Sequence, residues 1–191
     1  MDMQGSRTLA VTQQQAWEAL NDPEILKTCI PGCEKFELTE PNTYVVGTAL
    51  KIGPVSARFN GRVVLSDIVP PESYKLGFDA QGGVAGFGKG TSAVLLRPTD
   101  SGCELSYTVH STVGGKIAQL GQRLIDGAAK SLAEDFFRRF DEELQRRHPA
   151  PPGAAVVAPA PTAPASRGLP TWAWAAIAVA IAAIIYLASR A

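Results

Sequence analysis

Apolar and polar residues alternate along much of the first 115 residues, in runs separated by turn-forming residues. Alternation with a period of two is typical of strands that bury one face and expose the other. The pattern predicts strands at about residues 2–10, 34–40, 43–52, 55–69, 73–81, 90–97 and 103–113. These runs predict an antiparallel sheet with one apolar face and one polar face.

Two short helices are predicted between the first and second strands. Thr12 is a suitable N-cap for a helix that contains Ala16, Trp17 and Leu20. Pro23 suits the first turn of the helix that follows.

Apolar residues change to helical spacing near residue 117. One column steps by three and then by four, through Ile117, Leu120, Leu124, Ala128, Leu132, Phe136, Phe140 and Leu144. Ile125 and Phe137 belong to a second column beside it, so the apolar stripe is wide. Acid-first i, i+4 pairs such as Glu143 with Arg147 indicate a solvated opposite face. We therefore expect a helix of about 30 residues that lies across the sheet.

Small residues in the first half of the helix stripe leave room between the helix and the sheet. This spacing predicts a ligand cavity, with close packing and no cavity as the alternative. The expected lining comprises the residues whose phase points inward: Phe59, Val63, Leu76, Phe78, Tyr107, Val109, Leu120, Leu124 and Ala128. In the alternative, these residues form an ordinary core. Tyr44 and Tyr107 could offer hydroxyl groups inside.

A glycine-rich segment, GGVAGFGKGT at residues 82–91, partly matches a phosphate-binding loop. Gly90 stands where Ser or Thr should hold magnesium, and the residues that follow indicate a strand instead of a helix. We interpret the segment as a flexible turn with Phe87 at an exposed apolar tip.

Candidate metal ligands and nucleophiles are sparse. Cys29 and Cys33 have no second pair of ligands, and the only histidines are His110 and His148. His110 is predicted to lie on the polar face of its strand. The sequence therefore predicts no metal site and no catalytic constellation.

The composition changes after residue 147. The first 147 residues carry a net charge of −2, and seven of the 14 prolines lie between residues 149 and 170. Residues 172–188 contain no charge and would form about 26 Å of helix, the short end of a bilayer span. Trp172 and Trp174 at one end and Tyr186 at the other would anchor it at the membrane interfaces. A buried core helix is the alternative.

Three parts are therefore expected: a domain at 1–147, a Pro/Ala-rich flexible linker at 148–170 and a transmembrane anchor at 171–189. Because the N-terminus has no apolar segment typical of a signal peptide, we expect the domain in the cytoplasm and the protein in the cytoplasmic membrane. Three cysteines, an odd number, fit a reducing compartment. The balanced charge gives no bias towards nucleic acid.

Five segments together resemble the CoxG family of carbon monoxide dehydrogenase. They are MQG at 3–5, AWEALNDP at 16–23, CIPGCE at 29–34, FNGR at 59–62 and GGKIAQLG at 114–121. The resemblance covers about residues 1–145, and the order of elements resembles the α+β helix-grip fold of the START and polyketide-cyclase superfamily. The linker and tail resemble a membrane-anchored subset of the family.

The resemblance implies a non-catalytic accessory that recruits a molybdenum hydroxylase of the carbon monoxide dehydrogenase type to the membrane. It also implies an apolar pocket for a lipid-like molecule and no covalent cofactor. A quinone or another isoprenoid is the hypothetical ligand, with an entrance near residues 82–90 that includes Phe87 and Ile117. The alternatives are a membrane adaptor or assembly factor without a ligand, and an enzyme of the cyclase type.

Overall fold

The structure is a computed structural model, it describes residues 1–149, and its strands follow the predicted runs closely. They are β1 (Asp2–Leu9), β2 (Cys33–Glu40), β3 (Thr43–Ile52), β4 (Val55–Val69), β5 (Ser73–Gln81), β6 (Phe87–Thr99) and β7 (Gly102–Gly114). All neighbouring strands pair antiparallel in the order β1-β7-β6-β5-β4-β3-β2. The predicted antiparallel sheet is confirmed, with β1 and β2 at its two edges.

Two helices connect β1 to β2: α1 (Gln13–Leu20) and α2 (Pro23–Cys29). The Thr12 hydroxyl accepts a hydrogen bond from the Gln15 backbone at 3.2 Å, and the Gln15 side chain accepts one from the Thr12 backbone at 2.9 Å. This reciprocal capping box fixes the start of α1. Asp22 caps α2, and Pro23 occupies its first turn. Both predicted helix starts are confirmed.

The long helix begins later than predicted. It is α3 (Gln122–Arg147), whereas residues 118–120 form a 3₁₀ turn. Gly121 between them has a φ of 88°, a left-handed conformation that interrupts the helical path. The predicted column from Ile117 to Leu144 is therefore not one helix face.

The buried face of α3 also differs from the predicted one at its N-terminal end. Within α3 the buried apolar residues are Ile125, Phe137, Phe140 and Leu144. Leu124, which is predicted to point inward, is 42% exposed. It lies in the first turn of the helix, beside Gly53 in the turn between β3 and β4.

The core has two parts that lie near opposite ends of the strands. The main core packs α1, α2 and the C-terminal part of α3 against the sheet. Its largest fully buried side chains are Leu9, Cys29, Leu96, Cys103, Leu105, Phe140 and Leu144. A second cluster contains Phe59, Ala85 and Ile117.

The predicted linker at 148–170, apart from its first two residues, and the predicted anchor at 171–189 lie outside the described residues. Trp172, Trp174 and Tyr186 belong to that part, so their role remains a prediction. Among the helices of residues 1–149, none is long and apolar enough to span a bilayer.

Candidate functional site

A cavity of about 320 Å³ lies between the apolar face of the sheet and the helices. Its lining comes from all three helices and from six of the strands: Leu20, Leu26, Ile30, Phe36, Tyr44, Val63, Leu65, Tyr74, Leu76, Phe78, Ser92, Val94, Leu105, Tyr107, Phe136 and Phe137. The volume falls at the lower end of the range for small-molecule sites, about 300–1,000 Å³. The lining is apolar except for three tyrosines and one serine.

Strand pairing places the central lining residues. Val63 of β4 lies opposite Phe78 of β5, and Leu65 lies opposite Leu76. Directly opposed residues in an antiparallel pair point to the same face. These four side chains therefore form a continuous apolar wall.

Each of the three tyrosines has its ring held by an aromatic neighbour. Tyr74 meets Trp17 edge-on with ring centroids 5.7 Å apart. The ring centroids of Tyr44 and Phe36 lie 5.1 Å apart, and Tyr107 is stacked on Phe137 of α3. Such contacts fix ring orientation and leave the hydroxyl at a defined position.

Burial raises the pKa of the Tyr74 phenol well above its usual range, and the nearby Tyr44 raises it further. Burial also raises the pKa of Tyr44. Desolvation disfavours the phenolate, so both groups stay neutral at physiological pH. A neutral phenol can donate one hydrogen bond and accept others.

Two glycines of the glycine-rich segment make room for aromatic rings. A Cβ atom at Gly82 would overlap the ring of Phe59. One at Gly90 would overlap the backbone of β7 at the His110 carbonyl oxygen first, and then the ring of Phe78. Glycine at these positions therefore lets the rings and the neighbouring strand approach the backbone. As expected, a strand and not a helix follows, because β6 begins at Phe87.

The exposed tip of this segment is not Phe87. Phe87 is half-buried on β6 and pairs with Gln81 of β5. Val84, in the preceding 3₁₀ turn, is 85% exposed instead. The prediction for Phe87 is wrong because β6 begins three residues earlier than the alternation indicates, so this residue belongs to the strand.

Four of the nine predicted pocket residues line the cavity: Val63, Leu76, Phe78 and Tyr107. Phe59 is 8% exposed and Ile117 is 5% exposed, and both belong to the second core cluster. Ile117, predicted at the entrance, is therefore a packed core residue, and an entrance near residues 82–90 stays a prediction.

The other four predicted pocket residues lie outside the cavity. Leu120 belongs to the 3₁₀ turn and Leu124 to the exposed first turn of α3. Val109 and Ala128 are half-buried without lining the cavity. For Leu120, Leu124 and Ala128 the reason is that only the C-terminal half of α3, at Phe136 and Phe137, lines the cavity.

Sequence reasoning missed the contribution of α2 and of Tyr74. Leu26 and Ile30 line the cavity and are spaced i, i+4, which is the signal that could have found them. Tyr74 shares the inward phase of Leu76 and Phe78, and the strand pattern contained it. Ser92, opposite Leu76, carries no comparable signal in the sequence.

No acid, histidine, lysine, arginine or cysteine is among the residues that line the cavity. His110 instead lies on the polar face, as predicted, where it pairs with Asp2 at 2.6 Å. Cys29, Cys33 and Cys103 are free thiols. Within residues 1–149, no group of three or more His, Cys, Asp or Glu side chains could hold a metal ion.

Three larger depressions lie on the opposite face of the sheet, with volumes of about 560, 680 and 820 Å³, and a fourth of about 390 Å³ lies between β1 and α3. All four carry charged groups, such as Lys75, Lys89 and Glu134. Open polar grooves bury little of a small ligand. The apolar cavity is therefore the better candidate site.

The family model for CoxG, a subunit of carbon monoxide dehydrogenase, matches residues 5–145, which is most of the chain. The chain belongs to this family. A conserved protein from Geobacillus kaustophilus, whose crystal structure is known, is 35% identical to this CoxG family member. The similarity covers 76% of this chain and 96% of that one, with a TM-score of 0.73. Among curated proteins, none matches the chain.

More distant structures share only the fold with this CoxG family member. A protein from Rhizobium leguminosarum is 15% identical, with 76% of this chain and 95% of that one covered and a TM-score of 0.61. The ZhuI aromatase/cyclase from a Streptomyces species is 14% identical, with 77% and 94% covered and a TM-score of 0.55. The sheet and C-terminal helix are consistent with the helix-grip fold. CoxG membership implies an accessory subunit that associates with carbon monoxide dehydrogenase.

Proposed function

We propose that this chain is a membrane-anchored, non-catalytic accessory of a carbon monoxide dehydrogenase-type molybdenum enzyme, and that it binds a quinone or another isoprenoid lipid. The observation that carries the proposal is the apolar cavity of about 320 Å³ between the sheet and the helices. Family membership supplies the partner enzyme.

The chemistry of the lining favours binding over catalysis. Acid–base catalysis needs a group whose pKa lies near the working pH. The cavity offers phenol and serine hydroxyls, and burial raises the pKa of Tyr44 and of Tyr74 away from neutrality. Such a lining suits an apolar molecule that bears few polar atoms.

The tail connects this cavity to the source of an isoprenoid ligand. Residues 172–188 have the composition of a short membrane span. The 22 residues from 149 to 170 would reach about 70 Å at the rise of a polyproline helix, about 3.1 Å per residue, so the domain could work at the membrane or well above it. The enzyme releases electrons in the cytoplasm, whereas quinone is dissolved in the bilayer. A tethered carrier would bring the two together.

Native mass spectrometry with lipid extraction tests the proposal directly. The domain comprising residues 1–149 is incubated with bacterial membranes, isolated again and weighed intact. We expect a stoichiometric apolar molecule that organic extraction identifies as a quinone or an isoprenoid. A clean mass without ligand, also after quinone is supplied, would contradict the carrier function.

A membrane adaptor without a ligand is the second candidate. The packing of Phe59, Ala85 and Ile117 favours it, because these buried side chains lie together near the predicted entrance. An adaptor would recruit the enzyme to membranes even when the cavity is filled by a larger side chain. A carrier whose cavity is filled in the same way would still recruit the enzyme but would lose quinone-dependent electron transfer.

A further inference from the structure

We propose that the hydroxyl groups of Tyr44 and Tyr74 are the polar recognition groups of the cavity and donate hydrogen bonds to carbonyl oxygens of the ligand. This inference rests on the proposed function and narrows the ligand to an amphiphile with a hydrogen-bond-accepting head. A pure hydrocarbon would not use these groups.

Both tyrosines are deeply buried at the cavity wall. Tyr44 is 8% exposed and Tyr74 is 6% exposed, and both belong to the lining. Tyr44 lies on β3 and Tyr74 on β5, with only β4 between them.

The side-chain hydrogen bonds of residues 1–149 include none from either hydroxyl. Neither hydroxyl oxygen is fully enclosed by protein, and both residues line the cavity, so both hydroxyls are available to a molecule inside it. Buried hydroxyls in folded proteins nearly always have a hydrogen-bond partner. Two such groups on an otherwise apolar wall therefore point to a partner that the ligand supplies.

A carbonyl oxygen satisfies this arrangement chemically. Each carbonyl oxygen accepts hydrogen bonds through two lone pairs, and a quinone carries two such oxygens, so each phenol has an acceptor available. The apolar wall of Val63, Leu65 and Leu76 would then surround the ring and the side chain of the ligand. Each donor contributes an amount typical of a buried neutral hydrogen bond, so its loss should weaken binding by about three- to tenfold.

Trp17 provides a fluorescent reporter next to Tyr74, since the ring centroids of the two residues lie 5.7 Å apart. The chain has three tryptophans, and changing Trp172→Phe and Trp174→Phe leaves Trp17 as the only one. The full chain with these changes is held in lipid nanodiscs. A short-chain prenylated 1,4-naphthoquinone is titrated by quenching of Trp17 fluorescence, and the matching prenylated naphthalene, which lacks both carbonyl oxygens, is measured by displacement.

We expect Tyr44→Phe and Tyr74→Phe each to weaken naphthoquinone binding by about three- to tenfold and to leave naphthalene binding within about twofold. Thr108→Val is the control, because it removes an exposed hydroxyl from β7 on the opposite face of the sheet. It should leave both affinities unchanged. Equal losses for both probes, or no loss for either, would overturn the inference.

Thermal melting separates recognition from a structural role. Without ligand, both Phe variants should melt like the wild type, because an uncompensated hydroxyl makes no bond to lose. A large drop in melting temperature would assign the hydroxyls to the fold and overturn the inference. If neither probe binds the wild-type chain, the proposed function fails with it. If both bind and the Phe variants bind as well as the wild type, only the tyrosine assignment fails.

Discussion

Tyr107 of β7 stacks on Phe137 of α3, with ring centroids 5.3 Å apart and 30° between the ring planes. The Arg7 guanidinium lies over the same Phe137 ring, 5.7 Å from its centroid. Both rings also line the cavity. The contact that holds α3 on the sheet is therefore also a wall of the candidate site.

Phe137→Ala should destabilise the domain by about 3 kcal/mol, because it removes a buried aromatic ring and the stacking contact of that ring with Tyr107. Urea unfolding at pH 7 measures this change. Leu124→Ala is the matched control on the same helix, since Leu124 is 42% exposed and should lose less than about 0.5 kcal/mol. Similar losses for the two variants would show that the stack does not hold the helix.

Ser92→Leu should fill part of the cavity without harming the fold. Ser92 is half-buried in the cavity lining, so the larger side chain enters existing space and gains apolar burial of about 1 kcal/mol. We expect an unchanged or higher melting temperature and at least about tenfold weaker ligand retention in native mass spectrometry. Thr91→Leu, at the neighbouring exposed position on the other face, should retain ligand normally. Normal retention by Ser92→Leu would place the ligand elsewhere.

The strands could be predicted closely because alternation records which face of the sheet each residue occupies. The predicted bounds 55–69 and 73–81 coincide with β4 and β5. Alternation does not record where along a strand the helix stops covering it. Phe59 and Phe78 share the inward phase, yet Phe59 packs in the second cluster while Phe78 lines the cavity.

The cavity could be predicted only in part because of one backbone feature. The left-handed φ of 88° at Gly121 separates a 3₁₀ turn from α3. Apolar spacing runs through this break without interruption, so the sequence pattern joins Ile117 and Leu120 to the helix. As a result, the predicted lining is shifted towards the N-terminal end of α3, whereas the real lining uses Phe136 and Phe137.

Glu143 is buried, although the sequence pattern placed its ion pair with Arg147 on the solvated face of the helix. Its side chain is 6% exposed, and its carboxylate accepts a hydrogen bond from Arg147 Nε at 2.7 Å. Arg147 also reaches Asp22 at the start of α2, at 3.1 Å. The charged column thus ties the end of α3 to α2 instead of lying wholly in solvent.

Glu143→Gln should cost about 1–2 kcal/mol at pH 7, and the cost should vanish in acid. The Arg147 hydrogen bond is the main cause that holds the pKa of Glu143 below its ordinary value of 4.5. A lowered carboxyl pKa stabilises the fold above the ordinary value, and this stability is lost as the pH falls through the folded-state pKa. Urea unfolding of both proteins between pH 7 and pH 3 measures the difference. A difference that is constant with pH would exclude the ionised pair as its source.

Removal of residues 150–191 should leave a folded domain, because residues 1–149 contain the complete sheet, α3 and both core clusters. The thiols report the fold: Cys29 and Cys103 are fully buried, while Cys33 is partly exposed. Burial also raises the pKa of the Cys29 thiol to about 11, so little thiolate forms at pH 8. We expect iodoacetamide to label Cys33 alone in the truncated domain and all three thiols after addition of urea.

The truncated domain should stay in the supernatant after ultracentrifugation, and the full chain should sediment with membranes. Rapid labelling of all three thiols without urea would show that the fold needs residues beyond 149, and equal sedimentation of the two proteins would exclude the tail as the membrane anchor.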